Sequence, residues 1–196
     1  ISREKNAQAY ASLGLATLQG NGTAEDETLG KSYLDTAVSL GHEKSILWVG
    51  LCHLNGWGCR ADTATAINYL ERAADNGEIR AINELGDIYE EQDDYKNAVL
   101  YYEKGVTLGS LESYCSLGYC YQEGLGVVLN SQKALELYKV AADHEYIRGY
   151  LLMAQSCMNG MGCERSYPEA MMWLEKAANA GNPTAMYYLG AIYAEG

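Results

Sequence analysis

The sequence predicts an all-α solenoid, a stack of similar helical hairpins. The first observation is a short motif, an aliphatic residue followed by glycine or alanine, that recurs in the same helical pattern. It stands at Leu13-Gly14, Val49-Gly50, Leu85-Gly86, Leu117-Gly118, Met153-Ala154 and Leu189-Gly190. The second observation is the distance between these motifs, which is 36 residues at four steps and 32 at one. A nearly fixed period of this size indicates a repeat protein in which each repeat contacts only its neighbours.

Each repeat is predicted to hold two helices. In residues 113–148, two stretches of about a dozen residues carry apolar side chains at spacings of three and four, on either side of Gly124-Leu125-Gly126. We therefore predict a single domain over residues 1–196 with repeats at 9–44, 45–80, 81–112, 113–148, 149–184 and 185–196. The last repeat holds only a first helix.

Local residues set the helix ends. First helices are predicted to stop at the turns Gly20-x-Gly22, Gly56-x-Gly58, Gly124-x-Gly126 and Gly160-x-Gly162, because glycine tolerates a positive φ. Second helices are predicted at residues 27–40, 63–76, 95–107, 131–143 and 167–180. Three of them follow a predicted N-cap, at Asp62, Asp94 and Asn130.

Small residues form two columns. The first-helix column, Gly14, Gly50, Gly86, Gly118 and Gly190, is predicted to be structural, and a second-helix column is predicted to face it. The second column is Ala37, Ala73, Gly105, Ala141 and Ala177. A larger residue in either column is expected to push the two helices of a hairpin apart.

Two positions depart from the pattern. The third repeat replaces the Gly-x-Gly turn by the acidic residues 90–94, so we expect a tighter hairpin there. Second helices end on Gly41, Gly77, Gly109 and Gly181, but the fourth repeat has Glu145. Because glycine is absent there, we expect a strained or differently built turn.

Composition limits the classes of partner. The chain has 14 Lys and Arg against 26 Asp and Glu, a formal net charge of −12, which argues against nucleic acid and anionic membrane surfaces. No run approaches the ~18 apolar residues of a membrane span, and the first residues given do not have the charged, apolar and small-residue pattern of a signal peptide. Because the chain starts at Ile1 and ends at Gly196 inside a hairpin, we expect it to be a fragment that a further second helix follows.

The fourth repeat holds a set of residues that other repeats echo, namely Leu117-Gly118, Tyr121, Gly124-x-Gly126-Val127, Lys133-Ala134, Tyr138 and Ala141-Ala142. With these residues the repeats resemble the Sel1-like family, an α/α relative of the tetratricopeptide repeat. The pattern recurs about five and a half times over essentially the whole chain. The resemblance implies a right-handed α/α superhelix and an adaptor role in protein complexes, but it names no ligand.

The six cysteines are predicted to be reduced thiols of the core. Bridges from Cys52 to Cys59 or from Cys157 to Cys163 remain the alternative. A zinc site at Cys52, His53 and Cys59 lacks a fourth ligand and the usual paired spacing, so no metal or cofactor is predicted. The absence of a bridge pattern favours a reducing interior, with a periplasmic or secreted location left open.

No catalytic constellation is apparent. Ser2 and Lys5 form a Ser-x-x-Lys match at the chain start without the companion motifs of the hydrolases that use it. The acids between Asp87 and Asp94 lack the alternation and the glycine of a calcium loop, which favours a solvated acidic surface. We therefore predict a protein without enzymatic activity of its own.

In solenoids of this type the first helices line the concave face, so their outward residues are candidates for binding a protein or peptide. In the first two repeats these are Leu15, Leu18, Leu47, Leu51 and Leu54, for which a place in the core is the alternative. The middle repeats contribute Asn83, Asp87, Glu90, Glu91, Glu112, Tyr119, Gln122 and Glu123. For Glu90, Glu91 and Glu123 plain solvation is the alternative. The last two contribute Arg148, Leu151, Gln155, Met158, Asn159 and Tyr187. A partner segment with apolar anchors and Lys or Arg side chains would complement this face.

The centres of three Gly-x-Gly turns, Trp57, Leu125 and Met161, form a second candidate patch. Alternatively, each side chain folds back on the second helix of its own repeat. For the whole chain we predict an interaction scaffold. The alternatives are a regulatory or substrate-docking domain of a larger enzyme and a repeat protein with hydrolase activity.

Overall fold

The computed structural model describes residues 2–20 and 26–195, which form eleven α-helices and no strand. The first helices of the repeats are α1 (Arg3–Gln19), α3 (Ser45–Asn55), α5 (Ile79–Glu91), α7 (Leu111–Glu123), α9 (Ile147–Asn159) and α11 (Pro183–Glu195). The second helices are α2 (Glu27–Ser39), α4 (Thr63–Asp75), α6 (Tyr95–Thr107), α8 (Ser131–Asp143) and α10 (Tyr167–Asn179). None of the described helices is long and apolar enough to cross a membrane.

The chain forms two compact units, an N-terminal unit of residues 1–85 and a C-terminal unit of residues 86–196. In the N-terminal unit, α1 packs on α2, α2 on α3 and α3 on α4. In the C-terminal unit, each helix from α6 to α11 packs on the next. The predicted all-α array of hairpins is confirmed, and the second helices begin at the predicted residues.

Side-chain caps start the second helices. Asp62 accepts a hydrogen bond from the backbone N–H of Thr65 at 3.1 Å. Asp94 accepts one from Asn97 at 3.3 Å, and Asn130 accepts one from Lys133 at 3.0 Å. These bonds satisfy backbone donors that have no partner inside the first turn of a helix, so the three predicted N-caps are confirmed.

The turns between repeats share one hydrogen-bond pattern. Three residues after each second helix ends, the backbone N–H donates to the carbonyl of the small residue two positions before the helix end, as in His42 to Ala37 at 2.9 Å. The residue just before this donor has positive φ, and it is Gly41, Gly77, Gly109 or Gly181 in four repeats. Glu145 takes the same left-handed conformation, with φ 59°. The predicted strain at this turn is confirmed, since a residue with a Cβ disfavours this region.

The hairpin of the third repeat is short, as predicted. Residues 92–94 alone join α5 to α6, and Asp93 supplies the positive φ, at 58°. The other described turns, at Gly56-x-Gly58, Gly124-x-Gly126 and Gly160-x-Gly162, place both glycines at positive φ. Gly22 of the first predicted turn lies outside the described residues, as do Ile1 and Gly196.

The second glycine of each described turn touches the preceding repeat. A Cβ on Gly58 would collide with the backbone carbonyl of Glu27, the first residue of α2. Gly126 lies in the same way on Tyr95, and Gly162 lies on Ser131. These glycines are therefore required for close approach as well as for their φ values.

The partner of the first-helix glycines differs from the prediction. The residue that faces them lies one turn earlier on the second helix than the predicted small column. A Cβ on Gly14 would lie 2.8 Å from Cγ of Leu34, and one on Gly50 would lie 3.1 Å from Cγ of Leu70. The small column is buried as well, and Ala141 in it lies against Gly149 of the next first helix. Thus the expectation that the two small columns face each other is wrong.

Candidate protein-binding surface

In two hairpins of the C-terminal unit, a tyrosine takes the second-helix position that Leu34 and Leu70 hold in the N-terminal unit. Tyr102 lies over Gly86, and Tyr138 lies over Gly118, so closely that a Cβ on either glycine would overlap the ring. Both rings are fully buried. Their length carries each hydroxyl past the glycine to polar residues of the first helix.

The Tyr102 hydroxyl lies between two carboxylates of α5. Its oxygen is 2.8 Å from Oδ1 of Asp87 and 2.6 Å from Oε2 of Glu90, and it can donate its single proton to one of them at a time. Burial, together with Glu90 and Asp87, raises the pKa of Tyr102 far above its ordinary value of 10.0. The phenol therefore remains a hydrogen-bond donor at neutral pH.

The fourth repeat repeats this arrangement with a neutral acceptor. The Tyr138 hydroxyl donates to Oε1 of Gln122 at 3.2 Å, and Nε2 of Gln122 donates to Oε1 of Glu123 at 2.8 Å. The pKa of Tyr138 is raised mainly by burial and further by Cys115. In both hairpins a core tyrosine thus orients a polar side chain of a first helix.

The acids of α5 lie beside α7. Glu90 is near enough to Cys120 of α7 to add to the effect of burial, and together they raise the pKa of that thiol to about 12. We call Asp87, Glu90, Glu91 and Glu123 the acidic face. Asp87, Glu91 and Glu123 are exposed and Glu90 is half-buried.

The remaining candidates of the C-terminal unit differ in exposure. Glu112, Tyr119, Arg148, Gln155, Asn159 and Tyr187 are exposed, and Met158 and Leu151 are half-buried and pack against the core of α8, α9 and α10. Arg148 is close enough to Cys115 and Tyr138 to lower the pKa of both groups in part, so one cation lies near these side chains. Tyr187 is 73% exposed.

The candidates of the N-terminal unit are mostly inside. Leu47 and Leu51 are buried core residues, which is the alternative to a place on the concave face that the sequence left open. Asn83 is only 7% exposed. Leu15, Leu18 and Leu54 are half-buried. This unit therefore offers less of the predicted polar face than the C-terminal unit does.

The family model for the Sel1 repeat matches six stretches of the chain, residues 7–42, 44–78, 79–110, 111–146, 147–182 and 183–196. The chain belongs to the Sel1 repeat family. The fold agrees with this, because the chain superimposes on a Sel1 repeat protein from Oxalobacter formigenes with a TM-score of 0.86. The two share 24% identity over 97% of this chain and 77% of that one.

Two fungal proteins that are named as regulators have similar sequences. Chitin synthase regulatory factor 3 of Schizosaccharomyces pombe is 26% identical over 90% of this chain and 20% of its own length. The chitin synthase regulator SKT5 of Saccharomyces cerevisiae is 30% identical over 91% of this chain and 28% of its length. The chain therefore spans between a fifth and a third of these two relatives.

The three loop-tip residues of the Sel1 repeats are half-buried. Trp57 packs against a cluster from α2 and α3, Leu34, Val49 and Cys52. Leu125 packs against the corresponding cluster from α6 and α7. These two tips thus cover the seam between the preceding second helix and their own first helix.

The cysteines are unpaired thiols, and four of the six are buried. Sγ of Cys59 lies 3.7 Å from Nδ1 of His53, but no group of three His, Cys, Asp or Glu residues in the part of the chain that the structure describes could hold a metal ion. Burial raises the pKa of Cys52, Cys115, Cys120 and Cys157 to about 12. These thiols are poor nucleophiles at neutral pH.

The role of Tyr102 and Tyr138 was not predicted from the sequence. The signal for it lies in this second-helix column, which reads Leu34, Leu70, Tyr102, Tyr138 and Leu174. A tyrosine among leucines opposite a glycine indicates a ring that needs extra space and a hydroxyl that needs a partner.

Proposed function

We propose that this chain is a non-catalytic interaction scaffold that binds a partner protein or peptide through the acidic face. The charge distribution supports this proposal, because residues 86–196 contain seven Lys and Arg against fifteen Asp and Glu. A partner with Lys or Arg side chains would be attracted to this unit over a distance and would associate faster than a neutral one.

The orientation of Asp87 and Glu90 by Tyr102 is the observation that carries the proposal. Two carboxylates are held by one buried hydroxyl, whereas acids that serve only solubility need no such support. Side chains that are already ordered lose less conformational entropy when a partner binds. The acidic face is thus prepared for a contact with cationic side chains.

The other candidate residues are assigned to the same contact. Tyr119 and Gln122 on α7, and Gln155, Met158 and Asn159 on α9, offer polar and apolar groups that could flank the acids. Glu112, Arg148 and Tyr187 extend this set. Leu54 and Asn83 of the N-terminal unit, which are half-buried and buried, are not part of it.

Charge reversal with a matched control tests the acidic face. We expect Glu91→Lys with Glu123→Lys to abolish capture of the native chain's partner from a lysate of its source at low salt. The control, Glu103→Lys with Glu136→Lys, makes the same change in net charge on exposed residues of α6 and α8 and should retain the partner. Equal capture by both variants, each with native circular dichroism, would refute a role for the acidic face.

A second candidate is the regulation of an enzyme by this repeat region. Two relatives are named as regulators of chitin synthase, which favours this candidate for the present chain. We expect the captured partner then to be an enzyme or enzyme subunit whose activity changes when the purified chain is added. A partner without enzymatic activity would argue against the regulation of an enzyme and would support the scaffold function only.

A further inference from the structure

The N-terminal unit contains a small cleft with two tryptophans that the acidic face does not involve. Its volume is about 230 Å³, below the ~300 Å³ at which pockets for drug-sized ligands begin, so it suits one side chain better than a cofactor. The lining residues are Leu15, Leu18, Gln19, Glu27, Trp48 and Trp57. Both indoles are half-buried, which leaves part of each ring accessible.

One wall of the cleft is fixed by the turn that carries Trp57. The backbone N–H of Trp57 donates to the backbone carbonyl of Cys52 at 3.0 Å, and the next residue, Gly58, lies on the backbone of Glu27. The Gly58 N–H also donates to Oε2 of Glu27 at 3.2 Å. Thus the indole and the carboxylate are held beside each other by backbone contacts.

Trp48, the second indole of the cleft, already contacts a guanidinium. Cζ of Arg80 lies 5.1 Å from the centroid of the Trp48 ring, a cation–π contact within the same unit. Trp48 thus makes a cation–π contact with one arginine and belongs to the cleft as well.

The chemistry of the lining selects among possible occupants. Leu15 and Leu18 match the methylene groups of a long side chain, the indoles attract a cation, and Glu27 supplies the opposite charge. A purely aliphatic side chain would remove water from the Glu27 carboxylate without replacing its hydrogen bonds. A planar guanidinium stacks on an aromatic face and pairs with a carboxylate in ways that an ammonium group does not.

We propose that the cleft formed by Trp48, Trp57 and Glu27 binds an arginine side chain of a partner protein. The other repeats lack this combination, because the positions of Trp48 and Trp57 hold Ser116 and Leu125 in the fourth repeat and Leu152 and Met161 in the fifth. The site is therefore specific to this junction of repeats.

The indole N–H resonances of the 196-residue chain provide the test. The chain has three tryptophans, and the third, Trp173, is buried in the C-terminal unit and serves as an internal reference. A blocked Gly-Arg-Gly peptide is titrated against the ¹⁵N-labelled chain. We expect the signals of Trp48 and Trp57 to shift together while that of Trp173 stays in place.

Two further peptides and two variants identify the occupant. Citrulline has the shape of arginine without its charge, and we expect the citrulline and leucine peptides to bind at least about fivefold more weakly. Glu27→Gln keeps an acceptor for Gly58 and should weaken the arginine peptide by a similar factor. Trp57→Leu, which copies the turn of the fourth repeat, should abolish the shift of Trp48.

Three outcomes would overturn the proposal. Equal binding of the leucine peptide would make the cleft an apolar anchor site. An unchanged affinity in Glu27→Gln would remove the carboxylate from recognition. The absence of any shift at millimolar arginine peptide would show that the cleft takes no such side chain.

Discussion

Two kinds of hairpin occur in this chain, and they differ in the residue that lies over the first-helix glycine or alanine. In the first, second and fifth repeats this residue is Leu34, Leu70 or Leu174, and the first-helix residue four positions after the glycine or alanine is apolar, namely Leu18, Leu54 or Met158. In the third and fourth repeats it is Tyr102 or Tyr138, and the residue four positions on is Glu90 or Gln122. A tyrosine at this core position thus accompanies a polar residue on the neighbouring first helix, and its hydroxyl bonds to that residue.

The opposing first-helix residue is glycine in both tyrosine hairpins, whereas the leucine hairpins have Gly14, Gly50 and Ala154. A tyrosine ring fills the space of the missing Cβ more fully than a leucine does. A Cβ on Gly86 would overlap the Tyr102 ring, whereas a Cβ on Gly50 would lie 3.1 Å from Cγ of Leu70.

The largest expected effect comes from Gly86→Ala. Its Cβ would overlap the Tyr102 ring, and the cost of overpacking should exceed the gain in helix propensity of ~1 kcal/mol, for a net loss of about 2 kcal/mol. In a Tyr102→Leu background, which copies the Ala154 and Leu174 pair, the same change should be neutral or stabilising. Urea unfolding followed by circular dichroism measures both, and equal losses in the two backgrounds would contradict the proposed steric pairing.

A smaller effect is expected from removing the tyrosine hydroxyls. Tyr102→Phe takes the donor from Asp87 and Glu90 and should lower the free energy of unfolding by about 1 kcal/mol, since partly exposed carboxylates regain water. Tyr138→Phe, which loses one longer bond to a neutral amide, should cost about half as much. A larger loss for Tyr138→Phe in urea unfolding would reverse this ranking of the two hydroxyls.

The Tyr102 hydroxyl also affects the alkaline pH dependence of stability. Because the pKa of Tyr102 is raised above 10.0 in the folded chain, the folded state keeps a proton that the unfolded state releases. Its contribution is complete below pH 10.0 and is lost as the pH rises further, by up to about 1.4 kcal/mol per pH unit. Unfolding free energies measured between pH 9 and 11 should therefore fall more steeply for the native chain than for Tyr102→Phe. If the unfolding free energies of the two chains fell in parallel over this pH range, a raised pKa of Tyr102 in the folded chain would be contradicted.

Much of the fold was predictable from local chemistry. Glycines with positive φ and capping side chains such as Asp62 and Asn130 act within a few residues, so the helix boundaries followed from the sequence. The rotation of each second helix about its axis could not be predicted in this way. For that reason Ala37 was predicted to face Gly14, a position that Leu34 holds. That rotation depends on packing between helices far apart in sequence.

The candidate site was predictable only in part. The exposed acids of α5 follow from the helical period, and most of the candidates on α7 and α9 do as well. Asn83, Leu47 and Leu51 are buried because a first helix contacts helices on more than one side. The hydroxyl of Tyr102 reaches across a hairpin, and no pattern within a single helix reports such a contact.

The glycines at the ends of the loops give folding a direction. Gly58 lies on Glu27, Gly126 on Tyr95 and Gly162 on Ser131, and in each case the surface that receives the loop was synthesised earlier. When a hairpin emerges from the ribosome, the second helix on which its loop docks has therefore already been synthesised. The loop that will dock on this hairpin has not yet been translated. Through these contacts the second, fourth and fifth repeats dock on the repeat before them, so a truncation from the N-terminal side removes the surface on which the next loop lies.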